Sequence, residues 1–213
     1  MRLEDGITYK TIRNIDISNI AKRLSELPEA IWHLTKPNEK IDAENSTKVR
    51  PLDDHVTRIW IRCTEDDWVP YHFKRMTGTN RELTESQYAV YAKSFKNNQV
   101  DDLLSSYTNV IVDELEKEFN GYAGRVLYAR MAPNKKISPH IDPGYYLGVV
   151  HRFHVPIITN DNVKFTIDNT VFNMKTGVLY EIDNKLMHGV ENLGDSERIH
   201  LIIDIIPKDK FPS

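Results

Sequence analysis

The hydrophobic pattern changes period once along the chain. Ile17, Ile20, Ala21, Leu24 and Leu27 recur at helical spacing, Asp16 stands where it can cap the start, and Pro28 ends the run. Residues 56–63 alternate and read as a strand. A longer stripe follows: Val100, Leu103, Leu104, Tyr107, Ile111, Leu115 and Phe119 line one face of a helix, and Gly121 offers a left-handed cap past its end. After Gly121 the period falls from about 3.6 to 2. Residues 125–131, 149–158, 163–167, 170–174, 177–182, 187–190 and 198–206 read as strands, with turn chemistry at Asp168-Asn169 and Lys175-Thr176-Gly177. Many short strands joined by polar turns predict a sandwich or barrel. The expectation is one domain over residues 1–213. Its mixed, helical N-terminal part (1–120) packs on and covers a β core (121–207). Residues 37–54 read as loop. Residues 66–98 read as a surface segment, or as a loop and helix over the mouth of a site.

Two strands show which faces matter. In 198–206, one face carries Ile199, Leu201, Ile203 and Ile205; the other carries Arg198, His200, Ile202 and Asp204. In 149–158, Arg152, His154 and Pro156 share a face opposite His151, Phe153 and Val155. A helix stripe is available to cover the apolar face. The charged face then lines the sandwich interior, where an arginine needs an anion, or else it meets water; alternation alone leaves both open. Trp60 and Trp68 read as core or cleft wall.

Composition changes little. Hydrophobic residues make up 40% of the 213, charged residues 28%, and the net charge is −3. That balance is ordinary for a globular protein and argues for neither a nucleic-acid nor a membrane partner. The start of the chain has no signal-like apolar segment, and the single cysteine, Cys63, excludes an intrachain disulfide and a cysteine-based zinc site. A cytoplasmic location is the expectation.

The chemistry concentrates late in the chain. His140-Ile141-Asp142 puts two metal-ligand types two residues apart in an extended segment, and His188 can complete a two-His-one-carboxylate set. With 8 histidines present, the His-x-Asp spacing says little alone. Its setting says more: Pro139 precedes it, Pro143-Gly144 turns the chain after it, and Arg198 stands ten positions beyond His188.

These residues belong to a longer pattern. It runs from Met131-Ala132-Pro133 and Pro139-His140-Ile141-Asp142 through Arg152-x-His154, Val163-Lys164-Phe165 and Gly177-Val178-Leu179. It continues with Asp183-Asn184 and His188-x-Val190-Glu191-Asn192, and ends with Arg198-x-His200-Leu201-Ile202-x-Asp204. In this the chain resembles the aspartyl/asparaginyl β-hydroxylase family of Fe(II)- and 2-oxoglutarate-dependent oxygenases over roughly 121–207. The resemblance implies a double-stranded β-helix, that is, a cupin-like jelly roll. It implies a dioxygenase that uses Fe(II), 2-oxoglutarate and O2 to hydroxylate an amino-acid side chain, peptidyl or free. It implies that His140, Asp142 and His188 hold iron, that Arg198 grips the C5 carboxylate of 2-oxoglutarate, and that Arg152 and His154 lie by its C1 carboxylate.

Two positions depart from the best-known animal member. That protein has Gly where Asp142 stands, so this chain looks like a three-ligand member. It also has a Ser assisting the arginine where Ala129 stands, so Tyr128 or Tyr180 is expected to serve. His151 and His200 read as structural. Asp204 reads as a buttress to an Arg or His, or as a salt-bridged or strand-end surface residue. Tyr145 and Tyr146 read as a rim to the substrate entrance, or as exposed loop aromatics. The competing class is a non-oxygenase cupin-type metal protein, an isomerase or a binding or sensor module. Such a protein has no need of Arg198. Specificity is expected in residues 1–120 and the loop 143–149.

Overall fold

A computed structural model describes residues 3, 6–33, 56–62, 101–142 and 145–210. Among these residues, ten strands form two antiparallel sheets. Strands β1 (Tyr9–Asn14), β2 (Val56–Arg62), β3 (Gly121–Met131), β5 (His151–Ile158), β8 (Val178–Ile182) and β10 (Arg198–Pro207) make a six-stranded sheet, in the order β1-β8-β5-β10-β3-β2. Strands β4 (Lys135–His140), β6 (Val163–Ile167), β7 (Thr170–Phe172) and β9 (His188–Asn192) make a four-stranded sheet, in the order β4-β9-β6-β7. Helices α1 (Ser18–Glu26) and α2 (Asp102–Glu118) pack outside the large sheet, and α3 (Tyr145–Val149) precedes β5. This is the sandwich expected from the many short strands, in the jelly-roll form that the resemblance implies.

The layers follow from the two faces of β10. Ile199, Leu201, Ile203 and Ile205 join one cluster with Ile20 and Leu24 of α1 and Leu104, Ile111, Val112 and Leu115 of α2. Each such side chain, once buried, stabilises by about 1.5–3 kcal/mol. Covering this face with helices leaves the opposite face to the sandwich interior. A second cluster there draws Leu127, Ala129, Met131, Tyr180 and Ile182 from the large sheet and Val163, Phe165, Ile167 and Val190 from the small one. Arg198, His200 and Asp204 point into that layer and are buried. The question left open by alternation is therefore decided: the charged face is internal.

The helix ends differ in detail from the expectation. Asp101 caps α2 by accepting from Leu104 N at 2.9 Å, and Arg23 of α1 donates to the same carboxylate, which ties the helices together. Asp16 accepts from Ser18 N at 3.0 Å but stands one position before the cap, which is Ile17. Asn120, with φ of 43°, takes the left-handed turn after α2. Gly121 instead opens β3, where a Cβ would meet Ile206 O at 2.6 Å. Leu103 leaves the stripe and is exposed, while Thr108 joins the buried face. Val149 ends α3 instead of starting β5, and β1 and β4 were not expected as strands. Cys63, Trp68 and residues 37–54 and 66–98 lie outside the described residues.

Candidate metal centre and anion pocket

His140 ends β4 and His188 begins β9, and the two are direct partners across the small sheet. A register shift between Ile137 and His140 brings them level. Gly189 allows the close approach: a Cβ there would sit 3.0 Å from Ile137 O and 3.2 Å from Pro139 N. The rings lie 4.5 Å apart. Asp142, two residues past His140, completes the set. One ligand atom from each of the three lies within 4.8 Å of the others.

The imidazoles are oriented by carbonyls. His140 Nδ1 donates to Ser138 O, and His188 Nδ1 donates to Leu186 O, both at 2.9 Å. A carbonyl only accepts, so Nδ1 carries the proton in each and Nε2 is left bare. Both Nε2 atoms lie 3.8 Å from oxygens of Asp142. Burial lowers the pKa of His188, which favours the neutral, ligating form. Burial also opposes ionisation of Asp142, but the nearby Arg152, with His188 and His140, outweighs it and holds the carboxyl below its ordinary value. Two bare imidazole nitrogens and one carboxylate on one side of a point suit Fe(II) and leave coordination positions open.

Three further residues brace this corner. Arg152 Nη1 donates to Asp142, while its Nε and Nη2 donate to the two oxygens of Asp204 at 2.8 Å. Asp204 is fully buried, so it is a buttress to Arg152 and not a surface residue. Asn184 donates to Leu147 O at 2.9 Å and to Asp142 at 3.4 Å, linking α3 to the ligand. The sequence pattern included Asn184 but gave it no part. The side chains of Tyr145 and Tyr146 lie outside the described residues.

Arg198 forms a second pole. It is 4% exposed, and among the described residues no carboxylate pairs with it. Its Nη2 donates to His200 Nδ1 at 2.9 Å, and its Nε finds no partner among them. Burial pulls its pKa down to about 9. Phe165 spans the two poles: its ring stacks 6.5 Å from His188, and the Arg198 guanidinium lies 6.0 Å from its centroid. His154 stands in this group, with Nδ1 3.4 Å from His200 Nδ1 and its ring edge-on to Phe165. Tyr128 does not serve here: its hydroxyl bonds Thr108 Oγ1 at 2.7 Å, in the helix-covered cluster. Tyr180 OH accepts from Lys175 N at 3.0 Å.

A family model described as aspartyl/asparaginyl beta-hydroxylase matches residues 62–207. Among solved structures, a viral collagen prolyl hydroxylase from Paramecium bursaria Chlorella virus 1, in its 2OG complex, superposes with a TM-score of 0.52 at 11% identity. That match covers 96% of this chain and 99% of the viral one. A 2OG-Fe(II) oxygenase-family oxidoreductase from Burkholderia pseudomallei gives 0.42 at 13% identity, over 71% of this chain and 66% of that one. A cupin domain from Bordetella pertussis gives 0.31 at 20% identity, over 38% and 79%. The viral match speaks for the fold, and the family model speaks for the kind of enzyme. The chain belongs to the aspartyl/asparaginyl beta-hydroxylase family, a family of 2-oxoglutarate-dependent hydroxylases that use iron.

Proposed function

We propose that this protein hydroxylates an amino-acid side chain, peptidyl or free, with Fe(II), 2-oxoglutarate and O2. The observation that carries the reading is the pairing of two poles on either side of Phe165: a three-ligand corner with bare Nε2 atoms, and a buried guanidinium with no acid beside it among the described residues. When bound, iron supplies O2 activation coupled to decarboxylation of 2-oxoglutarate, and one oxygen atom enters an unactivated C–H bond.

The rest is the work of this chain's residues. His140, Asp142 and His188 hold the metal, with the imidazoles fixed by the Ser138 and Leu186 carbonyls. Arg152 keeps Asp142 in place and brings positive charge to the metal corner, where the C1 carboxylate would bind. Arg198 takes the C5 carboxylate, with which a guanidinium pairs more strongly in a buried site than in water. Phe165 stands between the two, and His154 packs edge-on against it. On the same inner face, β2 carries Arg58 opposite Ala129 and Trp60 opposite Leu127. This supports a part for the first 120 residues in choosing the substrate.

The test is turnover. With Fe(II), 2-oxoglutarate and ascorbate, succinate and CO2 should appear together with a product carrying one added oxygen, found by mass spectrometry in amino-acid and peptide mixtures. The absence of 2-oxoglutarate binding together with the absence of succinate would reject the reading.

A further inference from the structure

We propose that Asn184 is a positioning residue for the metal: it fixes how Asp142 is presented, and it ties that presentation to the seat of helix α3. The inference rests on the reading of His140, Asp142 and His188 as metal ligands. Asn184 lies in the turn between β8 and β9 and is only 2% exposed. Its Nδ2 stands 2.9 Å from Leu147 O, in α3, and 3.4 Å from Asp142 Oδ2. A carbonyl and an ionised carboxylate only accept, so the amide nitrogen, with its two protons, must face both. One side chain therefore holds the backbone of a helix and the carboxylate of a metal ligand together.

The contact reaches one particular oxygen. Arg152 Nη1 donates to the same Oδ2, so both donors gather on one side of the carboxylate. Among the described residues no hydrogen bond reaches Oδ1, which lies 3.8 Å from His140 Nε2. Oδ1 is thus the oxygen left for the metal. At 3.4 Å the Asn184 bond is long, so small displacements of α3 strengthen it or lose it. The turn that carries Asn184 is itself fixed. Asp183 N donates to Thr8 O at 2.9 Å, and Leu186 N donates to Asp183 O at 3.2 Å. Lys185 N donates to Asp183 Oδ1 at 3.1 Å. Leu186 O in turn accepts from His188 Nδ1. One turn orients two of the three ligands, Asp142 through an amide and His188 through a carbonyl. Partners of this kind, which orient ligands without touching the metal, are worth about 10- to 100-fold in metal affinity. A shift of α3 is accordingly felt at Asp142, and the arrival of the metal is felt at α3.

The test is calorimetric titration of the full-length protein with Ni(II), which binds nitrogen and oxygen ligands more tightly than Fe(II) does. Asn184→Ala should weaken Ni(II) by about tenfold. In an Asp142→Ala background the same substitution should change the affinity by less than about twofold. Hydrogen exchange read by mass spectrometry gives a second measurement. Ni(II) should slow exchange of the backbone amides of residues 145–149 in the wild type and not in Asn184→Ala. A residue that only supports the fold would speed that exchange with and without metal and leave the affinity alone. In the wild-type protein the Asn184 side-chain amide protons should shift in NMR spectra on Zn(II) binding, a measurement that stands even where a variant does not fold. Unchanged Ni(II) affinity in Asn184→Ala, an equal loss in the Asp142→Ala background, or Asn184 signals indifferent to Zn(II) overturns the role of Asn184 and leaves the metal reading standing. Absence of Ni(II) binding to the wild type, or binding that survives His140→Ala with His188→Ala, overturns both.

Discussion

At the scale of single residues, burial of charge decides what each side chain can do. Arg198 is a cation held in the interior with no acid beside it among the described residues. Arg198→Leu should therefore abolish the rise in melting temperature caused by 2-oxoglutarate. It should also leave the ligand-free protein as stable or more stable, by on the order of 1 kcal/mol in urea unfolding. Arg152 is the opposite case, because its loss removes two hydrogen bonds from buried Asp204 and one from Asp142. Arg152→Leu should cost about 3–5 kcal/mol, and Arg152→Leu with Asp204→Leu should cost markedly less, measured as a double-mutant cycle. The candidate metal-ligand set was legible in the sequence because His140 and Asp142 stand two residues apart in a turn context and, with the distant His188, repeat a family pattern. His200 was read as structural, and alternation alone did not show that it bonds Arg198 with its Nε2 left without a partner among the described residues. Orphaned donors appear only once strands are brought into register.

At the scale of elements, the small sheet sets the metal corner. Gly189 lets β4 approach β9 until His140 faces His188. Gly189→Ala should spread the two strands by a few tenths of an ångström and weaken Mn(II) binding at least tenfold, with the circular dichroism of the fold retained. Strand β4 escaped the sequence reading because Lys135–His140 is almost entirely solvent-facing and contains Pro139, so it has no apolar alternation. Strand β1 escaped for a related reason, being an edge strand rich in charge. Helix α3 is five residues long and includes Gly148, too short to show a period. The strands 163–167 and 198–206 were legible because both alternate cleanly and are buried on at least one face.

At the scale of the whole molecule, acid should loosen the fold through its interior histidines. Burial keeps the pKa values of His154 and His200 well below the ordinary value. The unfolded chain binds protons near pH 6.5 while the folded chain resists them, so stability rises with pH in that window and falls as pH drops from about 7 toward 5. Each histidine contributes at most about 1.4 kcal/mol per pH unit. Urea midpoints measured at pH 7.5 and 5.5 should converge in His200→Gln relative to the wild type.

The two N-terminal strands have a bearing on how this enzyme could be redesigned. Tyr9–Asn14 seals one margin of the large sheet against β8, and Val56–Arg62 seals the other against β3. Cutting the chain back to its hydroxylase-like half would bare both margins and invite sticking between molecules. Grafts meant to alter substrate range should accordingly keep those two bands and exchange only the sequence between and beyond them.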